Sequence, residues 1–241
     1  MIKIVPAFGI HPWWSHQSNT DSLKLLLDIL MQYPTASVGE IGLCKSVRGR
    51  QVPLDVQVET FKSQLGIAAE LKRACVLHCV GHFDKLLGIL QGVRHASGKL
   101  PPILILHSFS GSPDMMRSFL RLQETKVFIS FNAKQLTDPR MKKVVACCKE
   151  VPLEALLLET DAPDQAPSIE HVSQLFKNEK WGDAGVPLLL SENSAAVNEP
   201  CMVKLALQSA TELRGIRIDE LATLVYQNSK LAFGIDDSDS N

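Results

Sequence analysis

The chain has 241 residues, 45% hydrophobic and 21% charged, with a formal net charge of −1 and a pI of about 6.7. That length can bury one large core, and the charge balance excludes the global basic field by which many proteins hold nucleic acid. No apolar run reaches the roughly 18 residues of a membrane span, no signal-type core opens the chain, and the six cysteines lack paired zinc-ribbon spacing; the expectation is a soluble cytoplasmic protein, nuclear as an alternative, with reduced thiols.

Residues 2–10 read as a first strand running into the loop His11-Pro12-Trp13-Trp14. A helix over 21–32 follows, with Leu23, Leu26, Leu27 and Leu30 on one face, Asn19 or Thr20 as cap, and Pro34 just past its end. A strand over 36–39 presents Glu40, and the basic loop 45–50 lies on the same side. The helix over 55–73 buries Phe61, Leu65, Ala68 and Leu71. A strand over 75–80 carries His78, and a helix over 83–96 follows. The strand 103–106 ends at His107, a short helix begins near Pro113, and a strand spans 127–131. A helix over 138–149 precedes the apolar run at 155–158, which stops at Glu159-Thr160-Asp161-Ala162-Pro163. After a polar segment to about 200, helices over 200–213 and 218–232 close the chain, with Gly215 and Gly234 as C-caps. One domain over 1–234 and a disordered acidic tail over 235–241 are expected.

Six strands separated mostly by helices predict an α/β fold, a TIM-type parallel β/α barrel with its active site at the C-terminal strand ends. Two of the eight βα units of such a barrel are not visible. A doubly wound sheet is the alternative, but no Gly-rich phosphate loop follows the first strand.

Four apolar strands deliver Glu40, His78, His107 and Asp161 toward one end of that sheet. Imidazoles with carboxylates suit Zn, Mn, Fe or, with more water, Mg, and two ions roughly 3.5–4 Å apart would stabilise both oxygens of a displacement at phosphorus. Glu40 and Asp161 are the candidate catalytic carboxylates, Asp161 as the acceptor of the water proton. Each residue alone has a plainer reading: a helix cap for either acid, a hydrogen-bonded histidine for either imidazole. The conjunction points to metal. His11 shares that face but reads as a turn residue. With Arg48 and Arg50, which are placed to receive phosphate, it is a candidate for contact with substrate.

Gly9-Ile10-His11-Pro12, Gly39-Glu40-Ile41-Gly42-Leu43, His78-Cys79-Val80, His107-Ser108-Phe109-Ser110-Gly111 and Glu159-Thr160-Asp161-Ala162-Pro163 together resemble the TatD family of metal-dependent deoxyribonucleases, within the amidohydrolase-like barrels. The resemblance implies a TIM-type barrel that hydrolyses phosphodiester bonds in DNA with two divalent ions, Mg, Mn or Zn. By that resemblance Glu40 would bridge the ions, His78 and His107 would hold one, and Asp161 would bind the other and orient the water. Two departures stand out. The chain has no His-x-His pair, so the Asp161 position is short of two imidazoles and the first two βα units of the barrel are expected to be absent. Cys44 stands where the family has Asp after Gly-Leu. A catalytically weak or inactive remnant, or a related hydrolase acting on an amide or ester, therefore remains open.

Overall fold

A computed structural model describes residues 4–97, 99–168, 170 and 198–235. Most of the polar segment before 200, and the tail from 236 on, lie outside the described residues. In chain order the elements are β1 (Ala7–Phe8), α1 (Thr20–Gln32), β2 (Ser37–Cys44), α2 (Leu54–Glu70), β3 (Cys75–Val80), α3 (Phe83–Ser97), β4 (Ile103–Leu106), α4 (Pro113–Leu120), β5 (Lys126–Asn132), α5 (Ala133–Thr137), α6 (Lys142–Glu150), β6 (Leu156–Glu159), α7 (Val203–Arg214) and α8 (Ile218–Phe233). All six strands pair in parallel and in sequence order, so β1 and β6 are the edges of the sheet among the described residues.

Helices cover the sheet, and the strands are accordingly near-continuous apolar runs rather than alternating ones. Leu43, Leu77, Leu104, Ile129 and Leu156 pack with Phe61 and Leu65 of α2 and with Phe109 and Phe119. On another face Ile105, Phe128 and Leu157 meet Ala232 of α8. Gly215 and Gly234 take left-handed backbones at φ 64° and 60°, as helix C-caps do. Among the described residues no helix is long and apolar enough to cross a membrane.

Three expectations are corrected. The first strand is only two residues long. Pro6 has no N–H to give a ladder, and the Ile10 N–H and carbonyl are taken by the Gln64 side chain at 2.6 and 3.1 Å. The second strand does not stop before Glu40 but runs through it to Cys44, with a register shift against β3 between Val38 and Ile41. The helix expected over 138–149 begins only at Lys142, and a separate short helix precedes it over Ala133–Thr137, opened by a capping box between Asn132 and Gln135 and left at Asp138, before Pro139.

The close approach of β2 to β3 depends on Gly42, whose φ is 145° and whose absent Cβ would lie 2.0 Å from the His78 carbonyl oxygen. Gly42→Ala should therefore destabilise the protein by at least about 2 kcal/mol and weaken metal binding with it, since it pushes apart the strands bearing Glu40 and His78. Thermal melting with and without added Mn would show both effects; an unchanged melting temperature would refute the steric reading.

Candidate metal centre

The register of β2, β3 and β4 brings three side chains from adjacent strands to one point. Glu40 Oε2 lies 3.2 Å from His107 Nε2 and 3.9 Å from His78 Nδ1, and those two ring nitrogens are 3.3 Å apart. Two nitrogens each about 2.0–2.1 Å from a tetrahedral cation are themselves about 3.3–3.4 Å apart, so the triangle has the dimensions of a coordination edge. His11 reaches the same carboxylate oxygen through Nε2 at 3.9 Å, its ring edge-on to His78 with centroids 4.4 Å apart. Asp161 Oδ1 stands 3.9 Å from His107 Nδ1. Two trios sharing Glu40 can thus hold cations, His11-Glu40-His78 and Glu40-His107-Asp161, each with its ligand atoms within 4.8 Å. His78 Nδ1 faces the cluster, and its Nε2 is buried without a hydrogen-bond partner.

Protonation follows from this crowding. Burial would raise the Glu40 carboxyl, but the hydrogen bond and charge of His107, with His78 and His11 beyond it, bring it down to about 2. His78 is lowered to about 3, by burial first and then by the neighbouring imidazoles, and His11 to about 4 by burial, despite Glu40. His107 goes the other way. Burial opposes its charge, yet hydrogen bonds to Glu159 and Glu40 hold its pKa well above the ordinary histidine value. Burial lifts Asp161 to about 6, against the pull of His107 and with the push of Glu159 and Glu40.

Several residues that build the site were not singled out in the sequence. Glu159, one residue beyond the apolar run, lies 3.6 Å from His107 Nδ1 and orients that ring from behind. It accepts from the Ser108 N–H at 2.8 Å and from the Ser108 hydroxyl, which in turn accepts from Asn132 Nδ2 at 2.9 Å. Two acids end β6, and residue type alone does not say which one faces the histidine. Asn198 Nδ2 donates to the carbonyls of Thr160, at 2.6 Å, and Asp164, clamping the loop that carries Asp161. On α2, the buried Gln57 and Gln64 tie down the loops bearing Arg48 and His11: Gln57 Nε2 donates to Gly49 O at 2.9 Å and Val52 O at 3.0 Å. Buried glutamines on an amphipathic helix, one turn either side of Phe61, were the available signal.

A cleft of about 740 Å³ opens over this cluster, lined among others by His11, Trp13, Glu40, His78, His107 and Asp161. The Arg48 guanidinium lies 4.4 Å from the ring centre of Trp13 and 4.6 Å from that of Trp14, two indoles that line the cleft. Arg50 is not brought there; its Nε donates to the Lys45 carbonyl at 2.9 Å and steadies its own loop. Cys44 accepts from Trp13 Nε1 at 3.2 Å and so supports an indole.

A parallel α/β sheet with imidazoles and carboxylates gathered at its strand ends is the architecture of a metal-dependent hydrolase. The family model described as TatD related DNase matches residues 1–234, and the chain belongs to that family. A protein of Bacillus subtilis strain 168 named as an uncharacterized metal-dependent hydrolase, YabD, is 25% identical over 234 residues, 96% of this chain and 78% of the relative. Deoxyribonuclease Tat-D of Schizosaccharomyces pombe is 27% identical, over 92% of this chain and 72% of its own. The crystal structure of YjjV, a TatD homologue from Escherichia coli K12, superposes with a TM-score of 0.76 at 26% identity, covering 96% of this chain and 77% of that one.

His107 and Asp161 must each lose a proton before both can ligate, whereas His78 and His11 are already neutral. Metal affinity should rise as pH rises through about 6, where Asp161 ionises, and go on rising as His107 loses its proton. Calorimetric titration with Mn at pH 7 in buffers of different ionisation enthalpy should register proton release, and release absent in both buffers would contradict this assignment.

Proposed function

We propose that this chain is a divalent-metal-dependent deoxyribonuclease hydrolysing phosphodiester bonds in DNA, with its catalytic domain over 1–234 and its place of action the cytoplasm. The convergence of Glu40, His78 and His107 within 3.2 to 3.9 Å, with Asp161 beside them, carries the reading. Its six cysteines are free thiols, in keeping with an intracellular setting. Glu40, His78, His107, Asp161 and His11 would hold two ions that share Glu40. When bound, divalent ions supply charge stabilisation at phosphorus and an acidified water.

The side chains do the rest. Glu40, Glu159 and Asp161 crowd negative charge into the cleft, which repels a phosphodiester until cations offset it. The Asp161 carboxylate would take the proton of the attacking water. Glu159 keeps the His107 ring from swinging, so the ligand set is preorganised. Arg48, stacked on the two indoles that line the cleft, would offer a permanent positive charge to the entering backbone.

A purified chain given a DNA oligonucleotide with Mg or Mn should cleave it and stop on chelation. Asp161→Asn should cut kcat by about 10²- to 10⁴-fold, Glu40→Gln and the His78→Ala, His107→Ala pair should abolish metal-dependent turnover, and His82→Ala should change nothing. Cleavage that survives both chelation and Glu40→Gln would remove the proposal.

A further inference from the structure

The hydrogen bonds behind His107 run in one direction, and they start at an amide. Asn132 is wholly buried at the end of β5, opposite Glu159 in the strand register. Its Oδ1 accepts the Gln135 N–H at 3.0 Å in the capping box that opens α5, which leaves Nδ2 as the end of the amide turned to Ser108. Nδ2 donates to the Ser108 hydroxyl at 2.9 Å. A hydroxyl has one proton to give, and with the amide proton arriving from Asn132 that one goes to Glu159 Oε1. The Ser108 N–H reaches the same oxygen at 2.8 Å, from a left-handed backbone with φ 42° whose carbonyl is held by Gln135 Nε2 at 2.8 Å. Glu159, fixed by these donors, faces His107 Nδ1 at 3.6 Å, and Asp161 Oδ1 presents a second acceptor to that nitrogen at 3.9 Å. The other ring nitrogen, Nε2, looks into the cluster, 3.2 Å from Glu40 Oε2 and 3.3 Å from His78 Nδ1.

We propose that Asn132 is a positioning residue that, through Ser108 and Glu159, keeps His107 in its Nδ1–H form and so reserves Nε2 for a metal ion. The proposal rests on the metal-centre reading and names what selects the ligating atom. In a neutral imidazole one nitrogen keeps the proton, and the hydrogen bond made there decides which atom is left for metal. Asn132 touches no ion itself; it sets the direction of the bonds that do the selecting. Reversing the first link should therefore undo the rest. A carboxylate at position 132 still caps α5, as Asp does about as well as Asn, but it has no N–H to give. The Ser108 hydroxyl then turns its proton toward position 132, Glu159 loses a donor and gains a negative neighbour, and the His107 ring is no longer held in one state.

The test uses Zn, a diamagnetic ion, on the chain labelled with ¹⁵N-histidine. Long-range ¹H–¹⁵N spectra of the Zn-loaded wild type should show His107 protonated at Nδ1 and metal-bound at Nε2. Calorimetry then gives Zn affinities for wild type, Asn132→Asp, Ser108→Ala and the double variant. Each single substitution should weaken Zn binding by about 10- to 100-fold and lose the His107 Nδ1–H signal to exchange. The double variant should bind no more weakly than the worse single one, because both substitutions act through one hydroxyl. Should Asn132→Asp fail to fold, Ser108→Ala carries the comparison with the same expected loss. Zn on His107 Nδ1 in the wild type, an unaltered Zn affinity in Ser108→Ala, or losses that add in the double variant would overturn the proposal. Wild type that takes up no Zn would remove the metal-centre reading and this proposal with it. Zn bound as expected, with no Mg- or Mn-dependent cleavage of DNA, would uphold the role of Asn132 and remove the nuclease reading.

Discussion

A carboxylate carried in the middle of an otherwise buried strand loses part of its hydration, which opposite charge or hydrogen bonds then replace. Glu40 is in that position in the middle of β2. His107, itself buried and cationic between Glu40 and Glu159, supplies the compensation when no metal is bound. A cation at the same point would take over that role and free the His107 proton. Cationic His107 and a bound metal would thus be alternative solutions to one electrostatic problem.

Assembly of the cluster is a property of the parallel sheet. Adjacent strands in sequence order bring residues 40, 78 and 107 together although dozens of residues separate them along the chain, and helix α2 pins the surrounding loops with buried amides. The loop after β6 adds Asp161 on a left-handed backbone, φ 60°, which Asp tolerates better than most residues. Its place is kept by Asn198, from beyond the residues that are not described.

Much of this was legible in the sequence because burial and residue type spoke together. Strand β3 and the core of β4 were bounded correctly, as was the role of Gly215 and Gly234, because apolar runs and C-cap glycines have one simple meaning. The four expected ligand positions, 40, 78, 107 and 161, do lie together. Less visible was whatever depends on a polar side chain choosing its partner. Ile10 reads as strand, but Gln64 takes its backbone groups; the 138–149 helix begins only at Lys142, and Asn132 and Gln135 cap a separate short helix before it. His11 reads as a turn residue, and it does cap the turn by accepting from Trp13 N at 3.2 Å, yet the same ring comes within reach of Glu40. Glu159 and Asp161 sit two residues apart, and only three-dimensional placement separates the one that orients His107 from the one that faces the cleft.

The most direct measurement is an anomalous-scattering map from crystals of the chain soaked in Mn. The account predicts density at the cluster of His11, Glu40, His78, His107 and Asp161, as two peaks that share Glu40. A map with no peak at that cluster, or with Mn bound only elsewhere, would contradict the assignment of these strand ends as a hydrolytic metal centre.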